Sequence, residues 1–229
     1  MIFGGCTALT LIDYPGKTAA MVYTIGCNFR CPYCHNPELV DETVEETFSE
    51  ESVIDFLKTR RGLLDGVVIT GGEPTMHGED LLSFMARVKA LGFLVKLDTN
   101  GTNPSFITEA VARGVVDYVA MDMKAPLVSY HKTAGRPVDT GAIKESIGLL
   151  MKGSVPYEFR TTVVKALLSP EEVEEIAKEI AGADAYYLQQ FVPTKILNPQ
   201  FKRKVSYTDE EMLALKKRAE KYIVVCGIR

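Results

Sequence analysis

Short apolar runs alternate with amphipathic stretches along nearly the whole chain, and turn residues separate them. Thr18 to Ile25, Gly66 to Thr70, Phe93 to Leu97, Val115 to Met121, Tyr157 to Val164 and Ala185 to Phe191 each read as a buried strand. The segments between them open on capping residues and carry apolar side chains at helical spacing. Ser49 caps a helix to about Arg60, with Glu50 and Glu51 in the first turn, where the helix dipole favours acids. Residues 79–91 form a second helix, ended by Gly92, and Asn103-Pro104 opens a third that Gly114 stops. Asp139 caps a helix over 139–151. Ser169-Pro-Glu-Glu172 is a capping box that starts a helix to about Ala181. After an irregular stretch at 193–207, Thr208-Asp-Glu-Glu211 is a second such box, and its helix leads into a last short strand, Tyr222 to Val225.

Strands that are apolar throughout and alternate with helices predict a parallel sheet covered by helices. Right-handed crossovers then bring the C-terminal end of every strand to one rim. The polar loops at 26–36, 71–75, 98–101 and 122–124 each follow a strand, so they converge on that rim, where such folds place their sites. Six or seven repeats fall short of a closed eight-fold barrel. The expectation is one α/β domain over residues 1–229, a partial (β/α)6-type open TIM-like barrel with parallel strands.

Composition narrows the function classes. A formal charge of −4 argues against a broad nucleic-acid or membrane surface, and the short run Lys202-Arg203-Lys204 reads as a solvated loop. No apolar run reaches 18 residues, and Met1-Ile-Phe-Gly-Gly-Cys6 lacks the basic segment and apolar core of a secretory signal. The five cysteines are an odd number with three crowded into one turn, which a disulfide framework does not explain; a reducing cytoplasm does. Cys6 stands alone, and Cys226, after Ile223-Val-Val225, reads as packing.

Those three are Cys27, Cys31 and Cys34, in a C-x-x-x-C-x-x-C run. Three thiolates so close can wrap one face of a cubic iron–sulfur cluster and leave its fourth iron open to a ligand. A tetrahedral zinc with His35 as fourth ligand is the alternative, although the second dicysteine turn of most zinc knots is missing. In Gly71-Gly-Glu-Pro74, paired glycines let backbone approach a ligand closely and Pro74 stiffens the turn. His77 and His131 read as solvent-facing.

The cysteine spacing, with Tyr33 just before the last cysteine, resembles the signature of the radical S-adenosylmethionine (SAM) superfamily, and Gly71–Pro74 resembles its GGEP loop. Asp13-Tyr-Pro-Gly16, Cys34-His-Asn-Pro37, Asp98-Thr-Asn-Gly101 and Asp122-Met-Lys124 are similar to segments of glycyl-radical-enzyme activases. Anaerobic ribonucleoside-triphosphate reductase activating proteins show the resemblance best, with pyruvate formate-lyase activating enzymes as cousins. It covers about Leu11 to Phe191.

The resemblance implies a 4Fe–4S cluster on Cys27, Cys31 and Cys34, and no catalytic side chain beyond it. It implies SAM contacts from Tyr33, Gly71, Gly72, Glu73, Pro74, Asp98, Asn100, Lys124, Arg160 and Gln190. The GGEP backbone would meet the SAM amino group, Arg160 its carboxylate, and Gln189 or Gln190 its ribose or adenine. Asp98, Thr99, Asp122 and Met123 would hold a monovalent cation through hard oxygen donors. The implied reaction is reductive cleavage of SAM to methionine and a 5′-deoxyadenosyl radical, which takes hydrogen from a glycine of a partner enzyme. That partner would be anaerobic ribonucleotide reductase, and the electron donor a flavodoxin or ferredoxin. A radical SAM enzyme acting on a small molecule such as a nucleoside precursor, and a zinc-stabilised binding module, are the competing readings. Residues 126–138 and 193–207, which lack periodicity, are candidate docking loops.

Overall fold

Seven parallel strands follow one another across the sheet in chain order. They are β2 (Ala19–Thr24), β4 (Gly66–Gly71), β5 (Leu94–Thr99), β6 (Tyr118–Asp122), β7 (Tyr157–Val163), β8 (Ala185–Gln190) and β9 (Val225–Ile228). The structure is a computed structural model that describes all 229 residues. Two more strands extend the edge beside β2: β1 (Ile2–Thr10) pairs antiparallel with β2, and β3 (Phe48–Ser49) antiparallel with β1. The order is β3-β1-β2-β4-β5-β6-β7-β8-β9, and its two ends do not pair, so the sheet stays open as expected.

The helices are α1 (Pro37–Val40), α2 (Glu50–Lys58), α3 (Gly78–Ala90), α4 (Pro104–Ala112), α5 (Tyr130–Ala134), α6 (Thr140–Leu150), α7 (Pro170–Glu179) and α8 (Asp209–Ala219). The N-termini of α2, α4, α6, α7 and α8 are closed by the anticipated residues. Ser49 accepts from the Ser52 amide, Asn103 from Phe106, and Asp139 from Gly141 and Ala142. Both capping boxes form in full, at Ser169/Glu172 and Thr208/Glu211. No helix is long and apolar enough to cross a membrane.

Alternation along the strands divides the sheet into two chemistries. Val22, Val67, Ile69, Val95, Leu97, Val119, Met121, Phe159 and Leu188 join the helices in the main apolar core. The opposite parity carries Thr70, Lys96, Asp98, Asp122, Arg160 and Thr162, and this polar face surrounds a cleft at the C-terminal strand ends. Near the other end of that face, Tyr14, Ala19 and Val68 make a small apolar plug.

Besides the short elements β3, α1 and α5, which the sequence pattern does not mark, three strands differ from expectation. β1 was not anticipated; Gly4, Gly5 and two register shifts break its alternation. β6 begins at Tyr118 rather than Val115, because Val115 and Val116 are buried in the turn that leaves α4. The last strand runs Val225–Ile228 rather than 222–225, since parallel pairing with β8 starts only at Val225 opposite Ala185.

Candidate functional site

β2 ends directly before Gly26, and the cysteine loop crosses the top of the sheet. Its backbone is tied on several sides. Gly26 donates to the Leu39 carbonyl at 2.8 Å, Arg30 to Ala134 at 2.8 Å, Leu197 to Cys34 at 2.9 Å and Asn198 to Pro32 at 3.0 Å. Segments 126–138 and 193–207, read from sequence as docking loops, thus brace this loop. Cys27, Cys31 and Cys34 carry free thiols and line one cleft of about 200 Å³ with Tyr33, Gly71, Gly72, Glu73, Asp98, Thr99, Asn100, Asp122 and Lys124. Burial pushes the thiols of Cys27 and Cys31 up to about 12 and about 11, and raises Cys34 as well. Thiolates there need positive charge beside them, which bound iron supplies.

One observation fits a cluster with a bound ligand. The Tyr33 hydroxyl is buried in the cleft wall and has no partner, as a group does that a bound ligand satisfies.

Opposite the thiols stands the glycine loop. Gly71 has φ +118°, and a Cβ on Gly72 would lie 1.8 Å from the Gly26 carbonyl oxygen. The two strand-end loops touch backbone to backbone, which only glycine allows. Glu73 is buried and its carboxylate is used within the protein. It accepts from the Thr75 amide (3.1 Å) and hydroxyl (2.6 Å), the Thr99 hydroxyl (2.7 Å) and the Asn100 amide (2.6 Å). Burial raises its pKa, and these four donors oppose the rise. Asn100 in turn donates to Asn28 of the cysteine loop at 2.8 Å, and Asn28 donates to Thr102 at 2.8 Å. One hydrogen-bonded chain therefore links three loops, and the glycine backbone is left facing the cleft.

The floor is an ion-pair network. Arg160 on β7 donates from Nε to Asp122 at 2.9 Å and from a terminal nitrogen to Asp98 at 3.2 Å. Lys124 donates to the second Asp122 oxygen at 2.9 Å, and the wholly buried Lys96 pairs with the second oxygen of Asp98. Burial alone would raise the Asp122 carboxyl, but Arg160 and Lys124 outweigh it and hold the pKa down at about 2.

A family model described as the radical SAM superfamily matches residues 21–180. The chain belongs to the radical SAM superfamily. A Methanocaldococcus jannaschii protein provisionally described as a glycyl-radical enzyme activating enzyme is 38% identical, over 97% of this chain and 93% of its own length. The pyruvate formate-lyase-activating enzyme of Clostridium pasteurianum is 25% identical over 94% of each chain. Among solved structures, a radical SAM methyltransferase from Sphaerobacter thermophilus shares the fold with a TM-score of 0.69 at 15% identity, over 96% of this chain and 68% of that one. Within the superfamily the chain groups with the glycyl-radical activating enzymes, and membership implies a 4Fe–4S cluster and SAM.

Against a radical SAM site, the anticipated residues fall into three groups. Cys27, Cys31, Cys34, Tyr33, Gly71, Gly72, Glu73, Asp98, Thr99, Asn100, Asp122 and Lys124 share the cleft. Pro74 is buried beneath the glycine loop, and Arg160 and Met123 stand behind the acids. Gln190 is not brought there. Its side chain donates to the Tyr207 carbonyl at 2.7 Å, on the helix-facing side of β8. Strand alternation explains this: Gln189, level with Thr162, has the parity of the cleft. His77 is not simply solvated either, since its Nε2 lies 3.0 Å from the Ile25 carbonyl below the cysteine loop. Lys96, Asn28 and Thr162 escaped sequence reasoning, though the i, i+2 spacing of Lys96 and Asp98 was a readable signal.

The close loop contact gives a direct check. Gly72→Ala is expected to cost about 1–3 kcal/mol by forcing the two loops apart. Thermal unfolding measures it; a wild-type melting temperature would contradict the backbone contact at Gly26.

Proposed function

We propose that this radical SAM enzyme activates anaerobic ribonucleoside-triphosphate reductase by installing a glycyl radical. It would work in the cytoplasm with a flavodoxin or ferredoxin as electron donor. The observation that carries the reading is the single cleft in which three free thiols face a glycine backbone edge above paired charges. Relatives matched over nearly their full length support activase chemistry. The segments Asp13–Gly16, Cys34–Pro37, Asp98–Gly101 and Asp122–Lys124 together resemble glycyl-radical-enzyme activases, and the choice of reductase rests on that resemblance.

When bound, the cluster and SAM supply the reductive cleavage that generates the radical. The chain's own residues bind and orient. Cys27, Cys31 and Cys34 would hold three irons, and the Gly71-Gly72 backbone would receive the SAM amino group. Lys124 and Arg160 set a positive floor for its carboxylate. The Tyr33 hydroxyl, which has no partner within the protein, would donate to the bound pair.

Electron paramagnetic resonance tests the proposal. The anaerobically reconstituted, reduced enzyme with SAM and the reductase is expected to give a glycyl doublet, with deoxyadenosine formed alongside. A doublet only with pyruvate formate-lyase would reassign the partner. Deoxyadenosine with no protein radical on either would favour a small-molecule substrate, and none under any condition would defeat the SAM reading.

A further inference from the structure

The four residues that resemblance offers to a monovalent cation do not fit one. Asp98 spends one carboxylate oxygen on Lys96 and the other on Arg160. Asp122 spends one on Arg160 and the other on Lys124. The Thr99 hydroxyl donates to Glu73 at 2.7 Å and accepts from the Gly101 amide at 3.1 Å. The Met123 carbonyl accepts from the Thr161 hydroxyl at 2.8 Å. The four carboxylate oxygens, the Thr99 hydroxyl and the Met123 carbonyl are thus each already engaged within the protein.

Lys96 is the unusual member. Its side chain is fully buried in the middle of a strand, where an ammonium is costly unless it is paired. Asp98 two residues on lies on the same face and is its one ion-pair partner, while the Tyr118 ring lies 5.9 Å from the nitrogen. The five paired groups hold three positive charges and two negative ones, one positive charge in excess within the network, while Glu73, the other carboxylate lining the cleft, is held by four neutral donors. An alkali cation would add a second unmatched charge.

We infer that Lys96, with Arg160, is a built-in substitute for the monovalent cation, so that this enzyme binds and cleaves SAM without sodium or potassium. Lys96 is thus a positioning residue. It fixes the Asp98 carboxylate and, through Asp98, the Arg160 guanidinium that stands behind the acids. The inference rests on the cleft binding SAM.

Two measurements on the reconstituted enzyme test it, comparing potassium or sodium chloride with choline chloride at equal ionic strength. Deoxyadenosine formation by the wild type is expected to agree within twofold in the three salts, and its melting temperature to be the same. A saturable stimulation of fivefold or more by potassium or sodium, or a saturable rise in melting temperature, overturns the inference. Lys96→Met is expected to lose activity at least tenfold in choline and to recover part of it in potassium. Lys96→Arg, which keeps the charge should methionine prevent folding, is expected to stay indifferent to potassium. A Lys96→Met enzyme as active in choline as the wild type overturns the role of Lys96. Should deoxyadenosine form in no salt, the SAM reading falls, and the melting temperatures still decide whether the site takes a cation.

Discussion

Alanine at Cys27, Cys31 or Cys34 is expected to bring cluster iron, visible thiolate–iron absorbance and deoxyadenosine formation down to background. Each thiol lines the same cleft, and no other thiol does. Cys6 lies on β1 and Cys226 on β9, outside that cleft, so serine at either is expected to leave iron content and turnover unchanged. The loss will not come from unfolding. The loop is held by backbone bonds from Gly26, Arg30, Leu197 and Asn198, and the thiols only accept from backbone amides, as Cys27 does from Phe29 at 3.3 Å and Cys34 from Asn36. Removing a buried, neutral thiol also leaves no charge stranded in the apo-protein, because burial already keeps Cys27 and Cys31 protonated at neutral pH. Circular dichroism of the apo-variants should match wild type while iron analysis does not. Full iron and turnover in any of the three alanine variants would remove that cysteine from the ligand set.

Much of this site could be read from the chain because its parts are local. A three-thiol loop, a glycine pair and two acidic turns each sit at the end of an apolar strand, and strand ends of a parallel sheet share one rim. The starts of the five capped helices were equally plain, since a cap is a contact within four residues. What stayed hidden depends on parity or on distant partners. β1 lost its alternation to Gly4, Gly5 and two register shifts, so no period marked it. Gln190 and Gln189 are adjacent and chemically identical, and only the register opposite Thr162 tells which one faces the cleft. Glu73 looked like a ligand residue, but its four donors come from Thr75 and from the next strand-end loop. The ion pairs of the floor likewise join β5, β6 and β7, a pairing that follows from sheet order alone.

Arg160→Met is the substitution expected to damage that floor most. The guanidinium is the only group that touches both acids, and it does so from a largely buried position. Methionine keeps the bulk and removes the charge, leaving the buried Asp98 and the partly buried Asp122 carboxylates each short of a partner. Breaking such a pair costs about 3–5 kcal/mol, because the remaining charge is neither solvated nor matched. For a chain of this size that corresponds to a fall in melting temperature of roughly 6–20 °C. Acid titration separates the electrostatic cause from lost packing. In the wild type Asp122 is held near 2, below the ordinary carboxylate value of about 3.9, so its ionised form stabilises the fold above pH ~4. That contribution is lost only as the pH falls from about 4 towards 2. Without Arg160, burial is opposed by Lys124 alone, the Asp122 pKa rises, and the acid limb of the stability profile moves to higher pH. Arg160→Lys is expected to lie between, since one ammonium cannot reach both carboxylates as a planar fork does. A methionine variant with the wild-type melting temperature and an unshifted acid limb would show that Arg160 does not bridge the two acids. A lowered melting temperature with an unshifted limb would trace the loss to packing instead.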